Sequence, residues 1–246
     1  MTYPWLLPAL SALTGLAVGS FLNVVIHRTP RGENIAWPGS HCPDCGQPLR
    51  WYHNIPLISW IILGGKCAFC GNTISWRYPL VELLSSLLWL ILFFRIGPVW
   101  HFPFVASSFS ALLALTVIDF KYLAVPDSIN FFALAMALIQ PGFLTGMRDA
   151  AIAAGGLWLL AWLIGKAKGR EAMGGADVIV AGTMAALLGL TGFFAALFIS
   201  ALLAIVPSLM AKDTVVPFVP FLSLGTLIVY LFEENIMHWL RHLVYG

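Results

Sequence analysis

The chain has 246 residues, of which 60% are hydrophobic and only 10% charged, with a formal net charge of +2. Its mean hydropathy of +0.88 exceeds anything a water-soluble core needs, and no basic run supports nucleic-acid binding. Several apolar stretches approach the roughly 18–20 residues that a spanning helix requires. The expected class is therefore an all-α polytopic membrane protein.

The opening Met1-Thr2-Tyr3-Pro4 carries no Lys or Arg, and no small-residue cleavage site closes the apolar run behind it, so a cleaved signal peptide is not expected. A first span is predicted from about Trp5 to Ile26. Gly15, Gly19 and Ser20 give it a small-residue face, suited either to packing inside the bundle or to a dimer contact. Residues 27–78 differ in kind. They hold all four cysteines and polar turns such as Pro38-Gly39-Ser40 and Asn54-Ile55-Pro56, and they form the one segment long and polar enough for a separate extramembrane domain. Apolar runs follow at 80–96, 102–119, 128–145, 150–165, 178–190, 192–211 and 214–232. With the first, these predict about eight transmembrane helices. The implied organisation is a first helix (1–26), a cytoplasmic zinc-binding domain (27–78) and a transmembrane domain (79–246).

Lys and Arg set the orientation. With residues 27–78 in the cytoplasm, alternation places Arg28, Arg31, Arg50, Lys66, Arg77, Lys121, Lys166, Lys168, Arg170 and Lys212 inside. Arg95, Arg148 and Arg241 are left outside, so ten of the thirteen cations face the cytoplasm. Both termini are then expected outside, and Asp119 and Asp177 end and begin spans at the same cytoplasmic face.

Cys42-Pro43-Asp44-Cys45-Gly46 and Cys67-Ala68-Phe69-Cys70-Gly71 are two CxxC knuckles with 21 residues between them. Two closely spaced thiolates can grip one Zn²⁺, the glycine behind each pair permits the tight turn, and a second pair closes a tetrahedral structural site. The alternative, free or disulfide-paired cysteines, sits poorly with a cytoplasmic domain. With four sulfur ligands no open coordination position remains, so no catalysis is assigned to the metal. His41 and His53 are spare ligand candidates.

An ionisable group at membrane depth is a functional candidate because burying its charge is costly. Asp119, in Thr116-Val117-Ile118-Asp119, could simply reach water at a helix end beside Lys121. Asp177, behind the glycine-opened Met173-Gly174-Gly175-Ala176, changes that weighing. Two neighbouring carboxylates cannot both ionise cheaply, and an acid and a base sharing one proton are what hydrolysis by an activated water requires. Asp127, after Pro126, reads as the N-cap of the next helix. Glu82 reads equally as a hydrogen-bond acceptor for a neighbouring helix or as part of a site.

Together these residues resemble the prepilin peptidases (type IV leader peptidases). Gly19-Ser20-Phe21-Leu22-Asn23 through His27-Arg28 is similar to that family's opening signature. The paired knuckles and Ser75-Trp76-Arg77-Tyr78-Pro79-Leu80-Val81-Glu82 resemble its cytoplasmic domain and the helix after it. Asp119 with Val125-Pro126-Asp127, and Gly174-Gly175-Ala176-Asp177, resemble the segments carrying its two catalytic aspartates. The resemblance implies a bacterial inner-membrane aspartic peptidase. Its substrates would be type IV prepilins or pseudoprepilins, cut after a glycine at the cytoplasmic membrane face by Asp119 and Asp177. It also implies a structural zinc and, in bifunctional members, methylation of the new N-terminus with S-adenosylmethionine, for which Glu82 and Gly65 fall in the matching region. Two departures are visible. Ala176 stands where the motif has a second glycine, and no lysine follows Asp177 two residues on. Two other classes remain open at this level: a carboxylate-based proton- or ion-coupled transporter, and a non-catalytic zinc-bearing membrane scaffold.

Overall fold

The computed structural model describes residues 4–169, 174–210 and 216–245. Met1, Thr2, Tyr3, Arg170, Met173 and Lys212, all used in the sequence argument, lie outside the described residues. Among the described residues there are eight α-helices and no named strand. Six helices are long and apolar enough to cross a membrane. The chain divides into two compact units, Met1–Phe102 and Pro103–Gly246, and each is taken by itself.

In the first unit α1 (Leu6–Arg28) lies against α3 (Arg77–Ile96). The buried positions Ser11, Gly15, Gly19 and Leu22 recur at helical spacing along one side of α1. A Cβ on Gly15 would lie 2.7 Å from Ser86 Cα, and one on Gly19 2.7 Å from Glu82 Cα, so the two backbones touch. Hydroxyls bridge the seam as well: Ser11 donates to Trp89 O (3.0 Å) and Ser86 to Ala12 O (2.9 Å). The small-residue face thus packs inside the unit. Between the helices lie two short helical turns (Thr29–Arg31 and Trp51–His53), the five-residue α2 (Ile58–Ile62) and both CxxC knuckles. Arg28, only 7% exposed, fastens the loop after α1 by donating to the carbonyls of Asn34 and Gly39.

The second unit contains α4 (Phe102–Tyr122), α5 (Asp127–Leu138), α6 (Phe143–Lys168), α7 (Gly175–Met210) and α8 (Val219–Tyr245). Helix α4 supplies much of its core: Val105, Ala106, Ala114, Leu115 and Ile118 are wholly buried.

Three expected spans differ in the fold. The run 128–145 is not one helix. Pro141 offers no N–H and restricts the residue before it, and Gly142 turns left-handed (φ 84°), so α5 stops at Leu138 and residues 143–149 join α6. Twelve residues make α5 about 18 Å long, short of the roughly 30 Å apolar layer. The runs 178–190 and 192–211 are joined in α7, which breaks at Gly189 (φ 68°, ψ 173°). A conformation that only glycine adopts cheaply puts the break two residues ahead of the expected Thr191. Gln140 Nε2 donates to Ala186 O, and so satisfies a carbonyl that the break releases.

Because the α1–α3 seam is backbone against backbone, Gly15→Leu and Gly19→Leu should each lower unfolding stability, by about 1–3 kcal/mol for an overpacked contact. The control Leu13→Ala, at a position 59% exposed, should change it little. Denaturant-induced unfolding in detergent, followed by tryptophan fluorescence, reads the difference.

Candidate active site and metal centre

Asp119 sits in the last turn of α4, 6% exposed. Its Oδ2 accepts the backbone N–H of Val219 (3.1 Å), and its carboxylate also accepts that of Phe218. These are the free donors at the start of α8, bracketed by Pro217 and Pro220, which have none to give. The carboxylate therefore does not simply reach for water: Lys121 lies over the Tyr122 ring, 4.8 Å from its centroid. The positive end of α8 also meets this carboxylate. Just beyond, Leu123 closes α4 in a left-handed conformation (φ 50°) that a branched side chain adopts reluctantly.

Asp177 occupies the first turn of α7, its N–H bonded to Gly174 O (3.1 Å). Asp119 and Asp177, 58 residues apart in sequence, are brought near enough for their charges to interact. Ala176 lies within α7 with no positive φ, so the methyl at this position meets no backbone objection. The adjoining glycines are less special than the sequence suggests. Neither has positive φ. Among the described residues, a Cβ on Gly175 would touch nothing, and one on Gly174 would meet Asp177 Oδ2 alone, at 3.7 Å. Asp127 is the first residue of α5, with Pro126 in the capping position and no side-chain cap. It contributes a charge to the first turn and not the expected cap.

Sequence reasoning passed over Asn130 and Gln140. Asn130 is completely buried on α5, and its Nδ2 donates to Ala176 O (2.9 Å), the carbonyl immediately before Asp177. Gln140 holds Ala186 ten residues further along α7. The partners advance together, so α5 and the first arm of α7 run parallel, pinned at both ends of the arm that carries Asp177. The available signal was two amide side chains at the ends of one short apolar run.

In the first unit the sulfurs of Cys42, Cys45, Cys67 and Cys70 all lie within 4.8 Å of one another. The knuckles repeat one backbone pattern. Cys42 N–H donates to Gln47 O and Cys67 N–H to Asn72 O, while Gly46 and Gly71 turn left-handed (φ 71° and 73°). The Cys42 and Cys70 sulfurs are 3.9 Å apart, close to the roughly 3.8 Å edge of a tetrahedron with 2.3 Å Zn–S bonds and far from a disulfide. Backbone N–H groups of Cys70 and then Phe69 pull the Cys67 thiol down to about 7. At Cys70 the Asn72 N–H also lowers, but lost hydration and the three neighbouring sulfurs outweigh it and push the thiol up to about 12. Four thiolates cannot share this space without a cation, and Zn²⁺ fits the donor set. Neither His41 nor His53 joins the cluster. His41 meets Gly39 O, and His53 packs edge-on to Tyr52 and Phe69.

Glu82 is 8% exposed. It accepts the Leu57 N–H (2.8 Å) and the Ser20 hydroxyl. Gly65 is left-handed and lies under Trp60, whose ring a Cβ would approach to 3.0 Å. These contacts employ Glu82 and Gly65 in shaping the loop between the knuckles.

Comparison with known proteins follows the same division. Residues 13–96 match the profile of the bacterial peptidase A24 N-terminal domain, and residues 106–209 that of the type IV leader peptidase family. Proteins described as prepilin leader peptidase/N-methyltransferase are similar over most of the chain. That of Xanthomonas campestris is 32% identical, covering 94% of this chain and 92% of the relative. That of Neisseria gonorrhoeae is 31% identical, covering 97% and 96%. That of Myxococcus xanthus is 39% identical over 71% of this chain, a stretch spanning 54% of the relative. No solved structure matches.

The sulfur geometry carries a direct expectation. The purified chain should hold about one zinc per molecule, and Cys42→Ser or Cys67→Ser should each remove it. Elemental analysis of the detergent-solubilised variants checks this, and chelation should lower the thermal stability of the wild type.

Proposed function

The chain belongs to the type IV leader peptidase family, and we propose that it removes the leader from type IV prepilins or pseudoprepilins by an aspartate dyad made of Asp119 and Asp177. The observation that carries this is that the carboxylates at the end of α4 and the start of α7 lie close enough for their charges to interact. In the proposed reaction the two acids hold one water between them. One carboxylate takes a proton from the water as its oxygen attacks the scissile carbonyl, and the other gives its proton to the carbonyl oxygen. The tetrahedral adduct then collapses, the C–N bond breaks, and the departing nitrogen takes up the proton as an amine. Asp119 brings rigidity, since the N-terminus of α8 holds one of its oxygens. Asp177 is positioned through the backbone before it, by Asn130.

The proposal extends to the second activity in the relatives' name, N-methylation, with S-adenosylmethionine supplying the methyl group. Residues 27–78 form its cytoplasmic, zinc-stabilised part and 79–246 the peptidase. Glu82 and Gly65, in and beside the loop of that part, are the residues proposed to lie at the S-adenosylmethionine site. The setting is the bacterial inner membrane, with both termini outside, as the excess of cytoplasmic Lys and Arg favours. A count of about eight crossings is kept by taking α5 as a short crossing in a locally thinned bilayer and α7 as two crossings joined at Gly189. The parallel bonds from Asn130 and Gln140 support that path. A carboxylate-based transporter and a zinc scaffold are the readings that family membership disfavours.

Mass spectrometry of a pilin precursor incubated with the purified chain, with and without S-adenosylmethionine, tests both activities. Asp119→Asn and Asp177→Asn should each reduce cleavage by at least about 10²–10⁴-fold, the range for losing an acid–base group, while membrane insertion persists. Full activity in either variant overturns the dyad. Asn130→Leu keeps the bulk and removes the donor to Ala176. It should lower kcat about tenfold for one lost hydrogen bond, leaving KM near the wild-type value. Ala176→Gly should change the rate little.

A further inference from the structure

Helix α2 presents an apolar face that nothing in its own unit covers. Ile58, Ile61 and Ile62 are 53%, 68% and 77% exposed. The rotation of the helix is fixed by its other side. Ser59 is buried, donating to Tyr52 O (2.7 Å) and accepting from Ile55 N–H (3.0 Å), while Trp60 Nε1 donates to Ile74 O (3.2 Å).

Its height is fixed by Glu82. Leu57, the residue before α2, sits in a γ-turn with positive φ (φ 61°, ψ −49°) closed by Ile58 N–H to Pro56 O. That form is rare and strained, and it is held here by the Leu57 N–H bond to Glu82 Oε2 (2.8 Å). Glu82 stands five residues into α3, about 7.5 Å along its axis. The 20 residues of α3 span about 30 Å, the thickness of the apolar layer, so the helix has little room to slide. Glu82 therefore lies below the membrane surface, and the start of α2 lies with it.

We propose that α2 is a membrane-surface anchor, with Ile58, Ile61 and Ile62 seated at the boundary between phospholipid head groups and acyl chains. A depth of about 5–10 Å is where interfacial helices bury their apolar side. The face is continuous in character with the outward side of α3, where Leu83, Leu84 and Leu87 are 44%, 39% and 43% exposed. The charge agrees. The exposed cations Arg31, Arg50, Lys66 and Arg77 suit anionic head groups. This goes beyond the proposed peptidase and does not depend on it.

A photo-cross-linking amino acid placed at position 61 or 62, in the full chain reconstituted into phosphatidylethanolamine–phosphatidylglycerol vesicles, tests the anchor. Phospholipid adducts at both positions should exceed several-fold those at position 44, in the first knuckle. Absence of lipid adducts at 61 and 62, or adducts to a second copy of the chain in their place, overturns the proposal. In a Glu82→Leu background, adducts at 61 and 62 should fall several-fold while a probe at position 84 on α3 keeps its lipid labelling. Unchanged labelling at 61 and 62 refutes the Glu82 tether. Neither readout requires leader cleavage, so failure here is distinct from failure of the dyad.

Discussion

Inside an apolar layer a polar group left without a partner is costly, and the bonds that avoid that cost shape both units. Asp119 finds the donors at the start of α8, and Glu82 finds Leu57. Ser11 and Ser86 bind carbonyls across the α1–α3 seam, and Ser108 on α4 binds Ala133 O on α5. Each bond joins segments far apart in sequence, so satisfying polarity and choosing neighbours are one event. The apolar side chains alone distinguish poorly among helix partners, because lipid is as apolar as leucine.

The breaks in the helices follow the same logic and serve the site. Interrupting α7 at Gly189 releases carbonyls that need donors, and Gln140 is there because the chain also breaks at Pro141-Gly142. The break also shortens the arm that carries Asp177 and pins it along α5, with Asn130 at its other end. A dyad needs its two carboxylates held to within a fraction of an ångström. Short arms fastened at both ends supply that better than long helices free to tilt.

In the first unit the same economy appears without catalysis. The two knuckles bring four sulfurs together, a donor set that one cation would make cheaper than four thiolates repelling one another. The loop between them is drawn to membrane depth by a carboxylate of α3.

Much was legible in the residues themselves. Composition determined the class, because no soluble fold uses so much apolar surface. Spacing determined the sulfur cluster, because CxxC brings two ligands to one ion whatever surrounds them. The aspartates stood out because a charge at the end of an apolar run is costly anywhere. Tertiary structure decided what depends on partners. Gly189, and not Thr191, carries the break in α7, since only the packed chain reveals which glycine takes positive φ. Of the two packings open to Gly15 and Gly19, the fold selects the one against α3. Glu82 becomes the tether of α2. Asn130, an unremarked amide in an apolar run, becomes the hold on Asp177. The reason is the same in each case: a hydrogen bond within a helix is written in local sequence, whereas one between helices exists only once the fold has chosen which helices meet.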